Sequence, residues 1–288
     1  MDGGGALPDV EGVRHRDVDA RGARFHVAEA GSEDGPPVVL LHGWPQHWYL
    51  WRDAIPALAA QGKRVIAPDL RGFGWSEVTE HGYGKASLAA DVLAVLDALG
   101  VGRFRLVGHD WGGWIAFLLG LAHPGRVERL VLVNVGHGYA PRDVTALRAN
   151  LGFWYMPLLG TPGLGPALVR SGLVRAGLRR LNRERQAWSD EELAIFLDRM
   201  DPHTTQQVYG SFVFREAPRL AAGHYRRRLR PPTLMLHGDA DPAIRRDILR
   251  GFEEHTDDMR LELVPGLGHF CIDEAPEIVV PKIAAFVA

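Results

Sequence analysis

The chain has 288 residues, of which 46% are hydrophobic and 24% charged, an ordinary globular composition that suits one domain with an insertion. Its formal net charge of -2, with both signs mixed along the chain, offers no basic surface to nucleic acid and no acidic tail. Cys271 is the only cysteine. The sequence therefore predicts no disulfide framework and no cysteine-based zinc site, and it favours a reducing cytoplasm.

The chain shows no pattern of a targeting or membrane segment. Residues 1–11 are glycine-rich and acidic, whereas a signal peptide begins with basic residues and an apolar stretch. The longest apolar run, around 114–121, is too short to cross a bilayer and is followed by His123 and Pro124. We expect no membrane partner, and the sequence leaves open whether the chain forms a homodimer.

Short apolar runs bounded by glycine or proline predict buried strands along the chain. In chain order they are 38–41, 65–67, 104–107, 130–135, 233–236 and 261–264. Segments with helical spacing of apolar residues lie between most of them: 54–60, 87–99, 111–122, 245–254 and 275–287. Because strand and helix alternate, we expect an α/β fold with a mostly parallel sheet and helices on both faces.

The alternation stops between residues 136 and 230. Helix-like patches follow one another there without a convincing strand, at 144–151, 166–181, 190–201 and 204–216. We interpret this segment as a helical cap inserted after the sixth strand, with 1–135 and 231–288 forming the core. The arginine-rich stretch 226–230 is expected to be a solvated face near the hinge.

The sequence RLVGHDWGG at 105–113 carries the strongest functional signal. A strand runs into Gly108, Asp110 and Gly112 at alternate positions and then into a helix, which is the pattern of a nucleophile elbow with aspartate at its tip. Glycine permits the sharp turn and the close approach of strand and helix that push the central side chain outward. We predict that Asp110 is the nucleophile and not merely the cap of the following helix.

An elbow of this kind is followed along the chain by an acid and then by a histidine, each in a loop after a later strand. The sequence HGDADP at 237–242 offers two acids, Asp239 and Asp241, and PGLGHF at 265–270 offers His269 as the base. An earlier strand ends in HGWP at 42–45. We expect the backbone N–H groups of Trp44 and Trp111 to form an oxyanion hole, with His42 in a structural role.

Four stretches together resemble the epoxide hydrolase branch of the α/β-hydrolases. They are HGWPQHWYLW at 42–51, DLRGFGWS at 69–76, GHDWGG at 108–113 and GHF at 268–270, and they are spread over the whole core. The resemblance implies an α/β-hydrolase fold and matches Asp241, rather than Asp239, to the acid. One departure is that residues 134–138 lack the proline expected there, which leaves the start of the cap and part of the pocket undefined by the resemblance.

The resemblance also implies that two cap tyrosines hold the epoxide oxygen. Among the six tyrosines of the chain, Tyr155 and Tyr209 match this pair. Chemistry gives a separate reason to expect them, because a carboxylate that opens an epoxide leaves an alkoxide, and a phenol can protonate it. The ester on Asp110 would then be cleaved by a water molecule that His269, oriented by Asp241, deprotonates.

The expected activity is hydrolysis of a small apolar epoxide to a vicinal diol, with water as the second substrate and without a metal or another cofactor. Haloalkane dehalogenases are similar in sequence but carry asparagine where this chain has Trp44, and fluoroacetate dehalogenases carry arginine where it has Trp111. A haloalkane dehalogenase remains the first alternative. The second is a ligand-binding protein that keeps the pocket without catalysis. A serine esterase is excluded, since no Gly-x-Ser-x-Gly is present.

Overall fold

The computed structural model describes residues 6–288, apart from the side chains of residues 147, 150 and 183–185. Residues 1–5 lie outside the described residues. They are part of the predicted core segment 1–135 and of the N-terminal stretch that lacks signal-peptide features. The strands are β1 (Arg14–Ala20), β2 (Ala23–Ala30), β3 (Pro37–Leu41), β4 (Arg64–Pro68), β5 (Phe104–His109), β6 (Val127–Val133), β7 (Thr233–Gly238) and β8 (Met259–Val264).

Within the described part of the chain these strands form one sheet in the order β1-β2-β4-β3-β5-β6-β7-β8. β2 is antiparallel to β1 and β4, whereas the pairings from β4 onward to β8 are parallel. The predicted α/β fold with a mostly parallel sheet is confirmed. The carboxyl ends of β3, β5, β6, β7 and β8 consequently meet at one edge, where ligands bind in open sheets of this kind.

The first two strands are not predicted by the apolar runs. β1 is an edge strand that buries little more than Val18, so its sequence shows no continuous apolar stretch. The residues Arg21 and Gly22 join it to β2 with φ of 47° and 72°, the left-handed conformation of a tight two-residue hairpin. The hairpin extends the sheet beyond β4.

Alternate residues of the central strands feed two separate cores, one on each face of the sheet. In β3, Val39 and Leu41 pack into the larger cluster, and Val38 and Leu40 pack into the other. The larger cluster is covered by α2 (Lys85–Ala98) and α3 (Trp111–Ala122), the second by α1 (Ala54–Ala59), α11 (Cys271–Glu274) and α12 (Pro276–Phe286). Helices cover both faces, as expected.

The predicted helix at 245–254 is wrong. The chain there makes only isolated 3₁₀ turns at Arg246–Ile248 and Glu253–His255. Gly251 lies between them at φ 85°, and a Cβ there would approach the Tyr139 carbonyl oxygen to 2.8 Å. The left-handed glycine breaks the helix that the apolar spacing suggested.

Between β6 and β7 the chain is helical, as expected of the insertion. Its helices are α4 (Val144–Asn150), α5 (Tyr155–Gly160), α6 (Leu164–Arg170), α7 (Leu173–Arg185), α8 (Asp190–Asp198), α9 (Pro202–Ser211) and α10 (Ala217–Ala221). The predicted helix 166–181 is divided by Gly172 at φ 81°, and the predicted 204–216 consists of α9 and a π-helical turn at Phe212–Glu216. The cap limits 136 and 230 stay a prediction. Among residues 6–288, no helix has both the length and the apolar character of a membrane span.

Candidate active site

Asp110 occupies a strained turn between β5 and α3. Its backbone lies at φ 49° and ψ -121°, a conformation that side-chain-bearing residues rarely adopt. A Cβ on Gly108 would lie 2.4 Å from the Gly112 carbonyl oxygen, and one on Gly112 would lie 2.3 Å from that of His42. Only glycine fits at either position, so strand and helix close tightly and Asp110 is held at the carboxyl edge of the sheet.

The turn after β3 supplies an N–H donor to this aspartate. The N–H of Trp44 donates to Asp110 Oδ2 at 2.9 Å. Burial by itself raises the pKa of the Asp110 carboxyl, but the neighbouring His269 and the N–H of Trp111 lower it below its ordinary value. His42 is fully buried, and its Nε2 accepts the N–H of Leu70 at 2.9 Å. His42 thus supports the turn, and the two amides expected to form the oxyanion hole both face the carboxylate.

The histidine after β8 lies between two carboxylates. His269 Nδ1 donates to Asp241 Oδ2 at 2.9 Å, and its Nε2 lies 3.7 Å from Asp110 Oδ1, beyond hydrogen-bond range. Burial alone lowers the pKa of His269, but the charges of Asp241 and Asp110 raise it to about 10. His109, inside the elbow, donates to the His269 carbonyl at 2.8 Å and so fixes the loop.

Asp241 is buried and has a full set of donors. Its Oδ1 accepts the N–H groups of Ala243 and Ile244 at 2.7 and 3.0 Å, and its Oδ2 accepts the Asn134 amide at 2.8 Å. Burial raises its pKa, but the charge and hydrogen bond of His269 outweigh this and hold it well below the ordinary value. The group therefore stays anionic and keeps the His269 proton on Nδ1. Asp239, the other candidate, is exposed and accepts the Gly266 N–H at 2.7 Å.

Asn134 was not predicted as a site residue. It follows β6 directly, has φ 43°, and donates to both Asp241 Oδ2 and the Gly268 carbonyl, at 2.8 and 3.0 Å. It thereby joins the acid loop to the histidine loop. The available signal was a polar residue at the carboxyl end of a buried strand.

The two candidate tyrosines of the helical insertion lie together beside the tryptophans that flank Asp110. Tyr209, on α9, has its ring centre 6.0 Å from that of Tyr155, at the start of α5, and 5.5 Å from the rings of both Trp44 and Trp111. Burial raises the pKa of both phenols, and the nearby Asp110 charge raises it further. Both hydroxyl groups are thus protonated at neutral pH and able to donate.

A cavity of about 630 Å³ opens beside Asp110 between the core and the helical insertion. Its walls are mainly apolar, with Trp114 and Val135 from the core and Met156 and Phe212 from the insertion. Such a cavity suits a small apolar molecule with one reactive polar group. Within residues 6–288, no group of three or more His, Cys, Asp or Glu side chains is arranged to hold a metal ion.

Comparison with known proteins places this geometry in a family. The family model for the alpha/beta hydrolase fold matches residues 36–276. The soluble epoxide hydrolase of Corynebacterium sp. (strain C12) is 32% identical over 292 residues, covering 96% of this chain and 98% of that protein. The chain belongs to the epoxide hydrolase branch of the α/β-hydrolases.

Further relatives of this α/β-hydrolase agree over its full length. Epoxide hydrolase A of Mycobacterium tuberculosis is 30% identical and covers 93% of this chain and 95% of its own. The crystal structure of epoxide hydrolase VrEH1 from Vigna radiata superimposes with a TM-score of 0.83 at 28% identity, covering 97% of this chain and 99% of that one. The resemblance drawn from the sequence motifs is confirmed.

Replacing each of the two acids of the loop after β7 by asparagine distinguishes their roles in this α/β-hydrolase. We expect Asp241→Asn to slow turnover by about 10³-fold or more, because the amide no longer stabilises the imidazolium or enforces its tautomer. Asp239→Asn, a matched change two residues away, should leave turnover nearly unchanged, since that side chain bonds only a backbone N–H in the loop. Steady-state rates of both variants are the measurement, and an Asp241→Asn variant that keeps its turnover would remove Asp241 from the catalytic set.

Proposed function

We propose that this protein hydrolyses an apolar epoxide to a vicinal diol through a covalent ester on Asp110. The observation that carries the proposal is a pair of phenols in ring contact, Tyr155 and the buried Tyr209. They lie beside the Trp44 and Trp111 rings, next to a carboxylate whose Oδ2 is already bound by a backbone N–H. The names of the full-length relatives support the same chemistry.

In the first step, Asp110 Oδ1 attacks a ring carbon of the epoxide. Oδ2 is held by the N–H of Trp44, so Oδ1 is the oxygen left free for the new bond. The carbon–oxygen bond of the strained ring breaks, and the alkoxide takes a proton from one of the two phenols. The product is an alkyl ester whose carbonyl oxygen is Oδ2.

In the second step, His269 Nε2 accepts a proton from water, which attacks the Asp110 Cγ. Negative charge develops on Oδ2, where the N–H groups of Trp44 and Trp111 stabilise it. The Cγ–Oδ1 bond then breaks, and the imidazolium returns its proton to the departing alkoxide. The diol keeps Oδ1, and the Asp110 carboxyl regains an oxygen from water. The remaining water proton passes from that carboxyl to the phenolate formed in the first step, so the carboxylate and the phenol are both restored.

The halide-releasing alternative is less well supported by the site. A departing halide needs N–H donors but no proton. The indole N–H of Trp44 already donates to Thr205 Oγ1 at 3.1 Å and so is not presented to a leaving group. Two phenols near the nucleophile suit an alkoxide better.

Labelled water tests the proposal directly. Styrene oxide and excess protein are mixed in ¹⁸O-water, so that each molecule turns over once. We expect phenylethanediol without the label, and the label in the peptide that contains Asp110. Label in the diol would mean direct attack by water and would overturn the ester mechanism, while bromide release from a bromoalkane without diol formation would favour a dehalogenase. A pocket that only binds ligand gives neither product.

Removing the phenols should slow epoxide opening specifically. We expect Tyr209→Phe and Tyr155→Phe each to lower the rate of ester formation by about 10²-fold, because the alkoxide loses a proton donor. Tyr139→Phe is the control, since its hydroxyl donates to the Arg227 carbonyl at 2.6 Å. Rapid-mixing measurements of ester formation decide the point. If the Tyr209 and Tyr155 variants react as fast as the control, the proton comes from another group.

We also propose a cytoplasmic location, supported by the single cysteine, Cys271, which is buried and forms no disulfide. Whether the chain forms a homodimer is tested by size-exclusion chromatography with light scattering.

A further inference from the structure

A buried lysine joins the core to the helical insertion beside the nucleophile, and the mechanism above does not use it. Lys85 is the first residue of α2, and its side chain has no solvent exposure. Burying an ammonium is costly unless its donors find partners. The partners of Lys85 therefore indicate what the charge is for.

The ammonium lies between the helix that carries Tyr209 and the residue that follows the nucleophile. Its Nζ donates to the Val208 carbonyl at 2.7 Å and to Ser211 Oγ at 3.3 Å, both on α9. It also lies 4.2 Å from the centre of the Trp111 ring, a cation–π contact. One side chain thus contacts both parts of the site that must meet across an epoxide.

The backbone at these contacts is irregular. The Val208 carbonyl directly precedes Tyr209 and also accepts the N–H of Phe212, where α9 passes into the π-helical turn Phe212–Glu216. At the other end of that turn, Glu216 Oε1 accepts the Lys85 backbone N–H at 2.7 Å. Lys85 therefore holds the π-helical turn at both ends, and turns of this kind recur at functional sites.

We propose that Lys85 is a positioning residue for epoxide opening: it fixes α9 so that the Tyr209 hydroxyl meets the epoxide oxygen, and it fixes the Trp111 ring beside Asp110. This inference rests on the proposed function. Lys85 acts through Tyr209 and Trp111, without touching the reacting atoms itself.

The charge on Lys85 adds a pH dependence. Burial lowers the pKa of the Lys85 ammonium to about 8, although Glu216 and Asp110, the charged groups that face it, partly restore it. Above that pH the neutral amine loses the cation–π contact with Trp111 and one of its N–H donors. The rate of ester formation should therefore fall as the pH rises through about 8.

The test is Lys85→Met, which keeps the length of the side chain and removes its charge. Single-turnover ester formation from styrene oxide is followed by rapid mixing across the pH range, together with KM. We expect a loss of about 10²-fold at neutral pH, since small misplacements of reacting groups have effects of this size. KM should change less than kcat, and the decline above pH 8 should disappear.

Arg52→Met is the matched control for a general loosening of the insertion. Arg52 also joins core to insertion, through Asp273 Oδ1 at 2.6 Å and Glu192 Oε1 at 2.9 Å, but Glu192 lies on α8. This variant should keep the decline above pH 8. The proposal is overturned if Lys85→Met behaves like the unsubstituted protein, or if Arg52→Met reproduces its profile.

A second variant covers the case in which Lys85→Met does not fold. Lys85→Gln keeps an N–H donor near Val208 and loses the charge, so it should also lose the decline above pH 8, and a persisting decline would overturn the proposal. If the unsubstituted protein forms no diol, the proposed function itself fails. A protein that forms diol while both Lys85 variants keep full rates leaves that function intact and removes only this inference.

Discussion

Replacing His269 by glutamine is expected to stop the reaction after one chemical event and to leave the protein covalently loaded. Opening of the epoxide needs the Asp110 carboxylate and a phenol, neither of which the substitution removes. Hydrolysis of the resulting ester needs a base at the position of His269 Nε2, 3.7 Å from Asp110 Oδ1. Glutamine cannot accept the proton from water, so steady-state turnover should fall by about 10⁴-fold.

The measurement is mass spectrometry of the digested protein after incubation with styrene oxide. The peptide that contains Asp110 should gain the mass of one epoxide molecule, in an amount equal to the protein. His81→Gln is the matched control, because that histidine side chain is 83% exposed and lies outside the site. It should turn over normally without accumulating adduct. No adduct on Asp110 in the His269 variant would contradict the ester mechanism.

The two charged neighbours of His269 also set the pH dependence of ester hydrolysis. Asp241 and Asp110 together raise the pKa of the imidazole in the free protein to about 10, after the opposing effect of burial. Formation of the ester neutralises Asp110 and removes one of those charges, so the pKa falls as the base becomes necessary. Only the neutral imidazole accepts a proton, so ester decay should accelerate with rising pH, whereas ester formation slows above about pH 8 through Lys85.

The central parallel strands were predictable because they are buried on both faces and read as unbroken apolar runs. β3 and β7 are examples, since nearly all their residues are buried. The edge strand β1 exposes most of its residues and leaves no such run. The helix predicted at 245–254 from the spacing of apolar residues is absent because Gly251 adopts a left-handed conformation, which apolar periodicity does not reveal.

The reacting residues were predictable because their chemistry restricts residue type and position. Asp110 needs glycines on either side, and His269 must follow the last strand, so local sequence identifies both. Asn134 and Lys85 could not be identified in this way. Asn134 acquires its role from Asp241, 107 residues later, and Lys85 acquires its role from Val208, 123 residues later. A polar residue at a strand end and a lysine at a helix start ordinarily face solvent, and only the packed structure reveals their partners.

Substituting Asp110 itself should separate catalysis from backbone strain. Asp110→Ala and Asp110→Gly both remove the nucleophile, so each should lower turnover by about 10⁴-fold or more, without any adduct from styrene oxide. The two variants should differ in stability. Alanine must keep φ near 49°, which disfavours a residue with a Cβ, whereas glycine adopts that conformation without strain.

The strain released at such a site is about 1–3 kcal/mol, and the greater freedom of glycine in the unfolded chain takes back about 0.5–1 kcal/mol. We therefore expect the free energy of unfolding of Asp110→Gly to exceed that of Asp110→Ala by about 1 kcal/mol, measured by urea denaturation. An alanine variant at least as stable as the glycine variant would show that the elbow is not strained. If the expected order is found, holding the Asp110 carboxylate at the edge of the sheet lowers the stability of the fold. The backbone conformation alone would favour glycine at this position, and the need for a nucleophile explains the aspartate.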